Sequence, residues 1–238
     1  SKNKSSDQAF IKPVWELKNL NQTEFRSKSN AGRYLAFASS IEEIPDSALN
    51  GVDQTHIYVL PGSQLERRSE SLWVINPEEP ATFEELIKTI NQQYGLAGIF
   101  FIWAREWGEQ HIDAHFGEAI LCNAVNALKG LNHLELQVPL WFLIKLSETF
   151  RSDEFSTPFS CMVNGFARSL FLEHPKLKGG VIEFDAESEI LVAPEIASGT
   201  KEDQVRLIKK NRYVVRLRNT PIESRAPLKL DKNAAYLI

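Results

Sequence analysis

The chain has 238 residues, of which 43% are hydrophobic and 24% are charged. This is the balance of an ordinary globular protein, and a chain of this length buries roughly 70 to 75% of its unfolded surface. A net charge of -4, without a cluster of Lys and Arg interleaved with aromatics, argues against nucleic acid as a partner. No signal peptide or run of roughly 20 apolar residues is present, so we expect a cytoplasmic protein without a membrane partner.

The two cysteines, Cys122 and Cys161, lie within apolar helical patterns and not at the spacings of a disulfide framework. We therefore expect buried thiols in a reducing compartment. Cys161 has no histidine partner evident in the sequence, so a place in the core is favoured over a role as a nucleophile.

Five short, continuous apolar runs predict strands that are covered on both faces, as in a parallel sheet. These runs are RYLAFA from Arg33, HIYVL from His56, GIFFIWA from Gly98, PLWFLIKL from Pro139 and VIEF from Val181.

Three segments between or after these runs have the helical period. In the first, Thr82 and Glu85 form a capping box after Pro80, and apolar residues repeat on one stripe as far as Tyr94. The second is predicted from about His115 to Leu128, with Gly130 as its stop signal. The third runs from about Phe159 to Glu173, and Pro175 prevents its continuation.

The alternation of strand and helix from Gly98 onward predicts right-handed βαβ crossovers in a doubly wound α/β sheet. After Asp185, EILVA from Glu189 is interpreted as a short strand. The segments DQVRLI and RYVVRL, joined across residues 209–211, predict a half-exposed antiparallel hairpin appended to the parallel sheet.

Known catalytic motifs are missing from the sequence. None of the 12 glycines forms the G-x-G pair that lets backbone amides reach a pyrophosphate. No tyrosine has a lysine four residues later, the arrangement by which short-chain reductases lower the pKa of a phenol. There is also no P-loop, no G-x-S-x-G and no H-E-x-x-H.

One polar constellation remains, namely His111, Asp113 and His115 in HIDAHF. In an extended segment the three side chains share a face and could hold a divalent metal, although a polar loop that leads into a helix has the same composition. Trp103 and Trp107, which follow a predicted strand, are interpreted as packing residues, and His174 as a helix C-terminal charge.

Two long motifs resemble the structural subdomain of modular polyketide synthase ketoreductases. They are VNGFARSLFLEHPKLKGGVIEFD from Val163 and EDQVRLIKKNRYVVRL from Glu202. FIKPVWEL from Phe10 resembles the first strand of that family, with Trp15 as its tryptophan. The resemblance is weak between Ser39 and Leu96.

The resemblance implies a truncated Rossmann-like fold, mainly parallel, with a C-terminal antiparallel hairpin. Residues 1–9 are expected to form a disordered tail because of their terminal position. The resemblance implies a structural subdomain over 10–218, and a linker with the first catalytic strand over 219–238. AAYLI from Ala234 resembles the strand that precedes the phosphate loop of the catalytic half. The expected partners are that NADPH-binding half in the same polypeptide, neighbouring synthase domains and an acyl carrier protein.

The resemblance assigns no catalytic, cofactor-binding or metal-binding residue to any position of this chain, and we expect no activity from it alone. Two alternatives remain open. One is an independent small α/β enzyme with a metal at His111, Asp113 and His115, and the other is a degenerate pseudo-ketoreductase remnant.

Overall fold

The computed structural model describes residues 9–20, 32–41, 49, 56–103, 114–146, 158–199 and 201–221. The chain divides into two compact units, Trp15–Val215 and a second unit formed by Ser1–Val14 with Arg216–Ile238. No helix within the described ranges combines the length and the apolar content that crossing a bilayer requires.

The described elements alternate between strand and helix over most of the chain. The strands are β1 Ala9–Leu17, β2 Arg33–Phe37, β3 His56–Pro61, β4 Glu66–Arg67, β5 Leu72–Ile75, β6 Leu96–Trp103, β7 Leu140–Lys145, β8 Lys178–Phe184, β9 Gln204–Ile208 and β10 Asn211–Pro221. The α-helices are α1 Pro80–Tyr94, α2 Ala114–His133, α3 Pro158–Glu173 and α4 Val192–Ser198, and two 3-10 helices cover Pro175–Leu177 and Ala186–Leu191.

The strands form one mixed sheet in the order β1-β10-β9-β8-β7-β6-β2-β3-β5-β4. The seven strands from β5 to β9 in this order are parallel to their neighbours, whereas β4 and β10 pair antiparallel. All five apolar runs are strands of the parallel part, which confirms the predicted fold class. The sequence did not predict β4 or β5.

The two faces of the sheet are covered by different helices. Helices α1, α2 and α3 pack on one face, while the Ala186–Leu191 turn and α4 pack on the other. The connection from β8 to β9 steps across the sheet in the same direction as the two crossovers before it, but over the opposite face. Its hand is therefore opposite to theirs, an exception to the usual right-handed rule.

Aromatic side chains fill the centre of the sheet on both faces. On the face covered by α1, α2 and α3, Phe37 stacks on Phe101 and Phe101 on Phe142, with ring centroids 5.4 and 5.3 Å apart. On the other face, Tyr34 stacks on Phe100 at 4.6 Å. A Cβ at Gly98 would lie only 2.4 Å from the Tyr34 ring, so this glycine leaves the space in which the tyrosine lies.

The start of α1 corrects the predicted capping box. The N-cap is Glu79 without a side-chain cap, and Pro80 begins the helix. Thr82 lies within the first turn, where its hydroxyl donates to the backbone oxygens of Asn76 and Glu79 at 2.9 and 2.8 Å. The box is wrong because the Thr82 side chain is already committed to these carbonyls.

Two predictions on the helices are also corrected. Gly130 does not end α2, which runs on to His133; it lies where α2 meets α1, and a Cβ there would be 3.1 Å from Glu84 Cα. Cys122 and Cys161 are exposed and not buried. Each lies on the solvent side of a helix whose apolar residues face the sheet.

The segment after Asp185 differs from its prediction as well. EILVA is not a strand but the end of a 3-10 helix and the start of α4, because Asp185 caps that turn through Ser188 N at 2.9 Å. The hairpin exists, with Asn211 opposite Ile208, yet β9 is buried throughout and pairs parallel with β8. It therefore continues the sheet, and β10 extends through the predicted connection as far as Pro221.

Candidate functional site

The centre of the sheet has the topology of a ligand-binding crevice. The chain leaves β2 toward β3 and β5, then returns to place β6 on the other side of β2. In open α/β sheets, ligands bind outside the carboxyl ends of the strands at such a switch point. A cavity of about 60 Å³ lies there. It is lined by Phe37, Ala38, Ser39, Val59, Leu60, Pro61, Ile75, Pro77, Phe101 and Asn123.

The described residues at this switch point do not fit a dinucleotide. Ala38 and Ser39 follow β2 where a glycine pair would be needed, and the Ala38 N–H already donates to Val59 O at 3.1 Å. At the end of β3, Pro61 has no N–H and Gly62 N–H donates to Ile75 O at 2.7 Å. A ribose would find neither an acidic residue nor an arginine at this strand end.

The size of the cavity leads to the same conclusion. Ligand pockets enclose about 300 to 1,000 Å³, whereas this cavity has room for only a few water molecules. Its lining is mainly apolar, with Ser39 and Asn123 as the polar contributors. The crevice therefore has the topology of a cofactor site, while the Ala38 and Gly62 amides among its described residues are bonded within the sheet.

The predicted metal ligands lie mostly outside the described residues. His111 and Asp113 do so, as do Trp107 and its neighbours, while His115 is placed only as the second residue of α2. The described ranges hold no group of three His, Cys, Asp or Glu side chains able to bind a metal. The metal hypothesis stays a prediction, which metal analysis of the purified protein and of His115→Ala would test.

The remaining sequence candidates occupy structural positions. His174 follows α3, and its N–H donates to Leu170 O at 2.8 Å, as expected at a helix C-terminus. Trp103 is the last residue of β6. Cys161 lies on the exposed side of α3, and the described residues place no base beside it.

The most polar environment in the described core lies under α3. Arg206 of β9 is 1% exposed, and its Nε donates to Glu183 Oε2 of β8 at 2.7 Å. The other carboxylate oxygen, Oε1, accepts from Asn164 Nδ2 at 3.0 Å. The guanidinium carbon lies 4.2 Å from the centre of the Trp15 ring. These four residues form what we call the Glu183 cluster.

Burial and charge act in opposite directions on the carboxyl group of this cluster. Burial raises the pKa of Glu183, while Arg206 and hydrogen bonds from Asn164 and Ser160 oppose the rise. Ser160 and Asn164 are four residues apart on α3, the spacing that short-chain reductases use for tyrosine and lysine. With a hydroxyl and an amide in place of a phenol and an ammonium, this pair cannot supply the same proton transfer.

A second buried ion pair lies on the opposite face of the sheet. Arg212 of β10 binds Glu195 of α4 through two parallel hydrogen bonds of 2.6 and 2.8 Å. Arg212 Nη1 also donates to the backbone oxygen of Lys18 at 2.9 Å. This pair joins α4, β10 and the residue after β1, and its geometry is that of a structural clamp.

Sequence reasoning missed both arginines because their alternation with apolar residues suggested a solvent-facing side. One signal was present, since Glu183 interrupts the apolar run VIEF. A carboxylate in the middle of a strand covered on both faces requires a cation or hydrogen-bond donors nearby. Arg206 and Arg212 were the available cations on the strands that follow.

The topology and the mainly parallel sheet define the chain as a Rossmann-like α/β protein. Residues 38–196, about two thirds of the chain, match the family model described as Beta-ketoacyl synthase-like, N-terminal. The chain belongs to this family. No curated protein matches the sequence.

Solved structures share the fold at low sequence identity. The chain is similar to a keto acid-selecting NRPS module with adenylation, ketoreductase and pseudo Asub parts, with a TM-score of 0.74, 17% identity and coverage of 92% of this chain and 19% of that one. An N-terminal ketoreductase from the macrolactin assembly line matches with a TM-score of 0.67 and 14% identity, covering 95% of this chain and 48% of that one. A C2-type ketoreductase from a modular polyketide synthase matches with a TM-score of 0.60 and 21% identity, covering 87% of this chain and 42% of that one.

These similarities confirm the fold that the sequence resemblance predicted. The chain spans less than half the length of each of these three structures. It therefore has the fold of one portion of proteins that are longer than itself.

Proposed function

We propose that this chain is the non-catalytic structural half of a polyketide synthase β-ketoreductase. In this role it braces a catalytic half that binds NADPH and reduces β-ketoacyl intermediates carried by an acyl carrier protein. The two halves belong to one cytoplasmic multidomain polypeptide. This chain itself contributes no catalytic residue and no cofactor ligand.

The observation that carries the proposal is the switch point between β2 and β6. The topology there is that of a dinucleotide site, yet the Ala38 and Gly62 amides are used within the sheet. A cofactor would have to displace these bonds and enlarge a cavity of about 60 Å³. A fold that keeps its topology but lacks its phosphate cradle is better suited to support than to catalysis.

The two buried ion pairs support the same conclusion. The Glu183 cluster attaches α3 to the sheet, and the pair of Arg212 with Glu195 attaches α4 on the other face. Both lie at the β8–β10 side of the sheet. Buried pairs of this kind contribute to specificity of packing, which a rigid brace needs.

The test compares cofactor binding by the two halves. Calorimetric titration of this chain with NADPH should give no binding, whereas the catalytic half should bind NADPH and should reduce a β-ketoacyl thioester when this chain is present. Micromolar affinity of this chain alone for NADPH would contradict the proposal. So would full activity and stability of the catalytic half in its absence.

A further inference from the structure

The described part of the second unit is a two-stranded ribbon, residues 9–14 of β1 and 216–221 of β10. The two strands are neighbours in the sheet order. Lys18 N–H, just after β1, donates to the backbone oxygen of Arg212 at 2.9 Å. The end of β1 therefore lies beside the start of β10, and the strands run antiparallel.

One face of the ribbon is apolar. Continued without a break, the register set by Lys18 and Arg212 places Pro13 opposite Leu217 and Ile11 diagonally across from it. Ile11 is 67% exposed and Leu217 is 68% exposed. Two of the most exposed large apolar side chains in the described ranges thus share one face.

The opposite face of the ribbon carries all three of its cations. By strand alternation Lys12, Arg216 and Arg218 lie there beside Phe10 and Val14, and neither strand segment contains an acidic residue. Charged side chains are well solvated by water, whereas exposed apolar side chains are stabilised by burial. A two-stranded ribbon is marginally stable on its own, so it gains stability when its apolar face is covered.

We propose that the apolar face of the ribbon, formed by Ile11, Pro13 and Leu217, is the surface that binds the catalytic half. This inference rests on the proposed function. Ile11 and Leu217 are about two-thirds exposed, so the described residues of this chain leave the face accessible to a partner. The matching macrolactin ketoreductase has about twice the length that this chain aligns with, so its remaining portion is the occupant of suitable size.

The chemistry of the occupant follows from the two faces. It presents an apolar patch to Ile11 and Leu217, with a carboxylate at the rim within reach of Lys12. A small interface suffices, because two halves joined in one polypeptide have an effective concentration on the order of mM.

The test uses single lysine substitutions at exposed leucine and isoleucine positions. Ile11→Lys and Leu217→Lys change the ribbon, and Leu172→Lys on α3, where the leucine is 84% exposed, is the matched control. Affinity for a separately produced catalytic half is measured by calorimetry, and far-UV circular dichroism and urea unfolding establish that each variant is folded. We expect each ribbon variant to weaken binding about ten-fold and Leu172→Lys to leave it unchanged.

The possible failures are distinguishable. If the wild-type chain binds the catalytic half and Leu172→Lys weakens binding while the ribbon variants do not, this inference is overturned and the proposed function stands. If the wild-type chain does not bind the catalytic half at all, both fall. If the wild-type chain alone forms dimers in sedimentation that Ile11→Lys abolishes, the occupant is a second copy and the inference is wrong.

Discussion

The centre of the sheet and its β8–β10 side are built by different physical means. At the centre, β2, β6 and β7 present stacked phenylalanines such as Phe101 and Phe142, and their stability comes from apolar burial. At the β8–β10 side, adjacent strands bury Glu183 with Arg206, and Arg212 with Glu195. Among the described residues, the first region buries no charged side chain, whereas the second buries charges in matched pairs.

This difference also separates the apolar crevice from the buried charges. The central crevice has the topology of a ligand site, but it is filled by its own backbone hydrogen bonds and apolar side chains. The buried carboxylates and guanidinium groups of the described residues bind one another at the β8–β10 side. In the described part of the chain, the two buried ion pairs hold α3 and α4 to the sheet.

The largest expected effect comes from breaking one partner of a buried pair. Glu183→Ala leaves Arg206 buried without its carboxylate, and we expect the free energy of unfolding to fall by about 3–5 kcal/mol in urea titrations. Replacing both residues together, as Glu183→Leu with Arg206→Met, should leave the free energy of unfolding nearly unchanged, because no buried charge then lacks its partner.

The matched control is an exposed ion pair. Arg68 Nη2 lies 3.3 Å from Glu66 Oε2, and both side chains are about half exposed. Arg68→Ala should cost less than about 1 kcal/mol, because water solvates the carboxylate that is left behind. An equal loss in Glu183→Ala and Arg68→Ala would show that burial does not distinguish the two pairs.

A smaller loss of stability is expected from adding a methyl group at the tight contact between Gly98 and Tyr34. A Cβ at Gly98 would meet the Tyr34 ring at 2.4 Å and Pro139 O at 3.0 Å. Gly98→Ala should therefore lower the free energy of unfolding by about 1–3 kcal/mol through overpacking. The measurement is the urea midpoint at constant slope.

Gly165 provides the comparison on a helix. Nothing lies within 4 Å of a Cβ there, so Gly165→Ala in α3 should raise the free energy of unfolding by about 0.5–1 kcal/mol. If both alanine variants were stabilising, the contact between Gly98 and Tyr34 would not be the tight one described.

The sequence predicted the centre of the sheet well because continuous apolar runs of five to eight residues have few other folded solutions. It did not predict the β8–β10 side, where Arg206 alternates with Val205 and Leu207 as in a strand with one wet face. That pattern cannot reveal that α3 and Trp15 cover the arginine, since both are distant in sequence. EILVA failed for a related reason, because its apolar content does not reveal the cap at Asp185.

The smallest expected effect is a pH dependence at the centre of the sheet. His56 lies beside Tyr34 and Phe100, with ring centroids 6.0 and 5.8 Å away, and burial lowers its pKa from the usual 6.5. The unfolded chain then binds the proton more readily than the folded chain, so this contribution to stability is complete above pH 6.5 and is lost as the pH falls below it. His56→Phe keeps the stack and should flatten the dependence of the urea midpoint on pH below 6.5. An unchanged slope in that variant would mean that protonation of His56 is not what the folded centre resists.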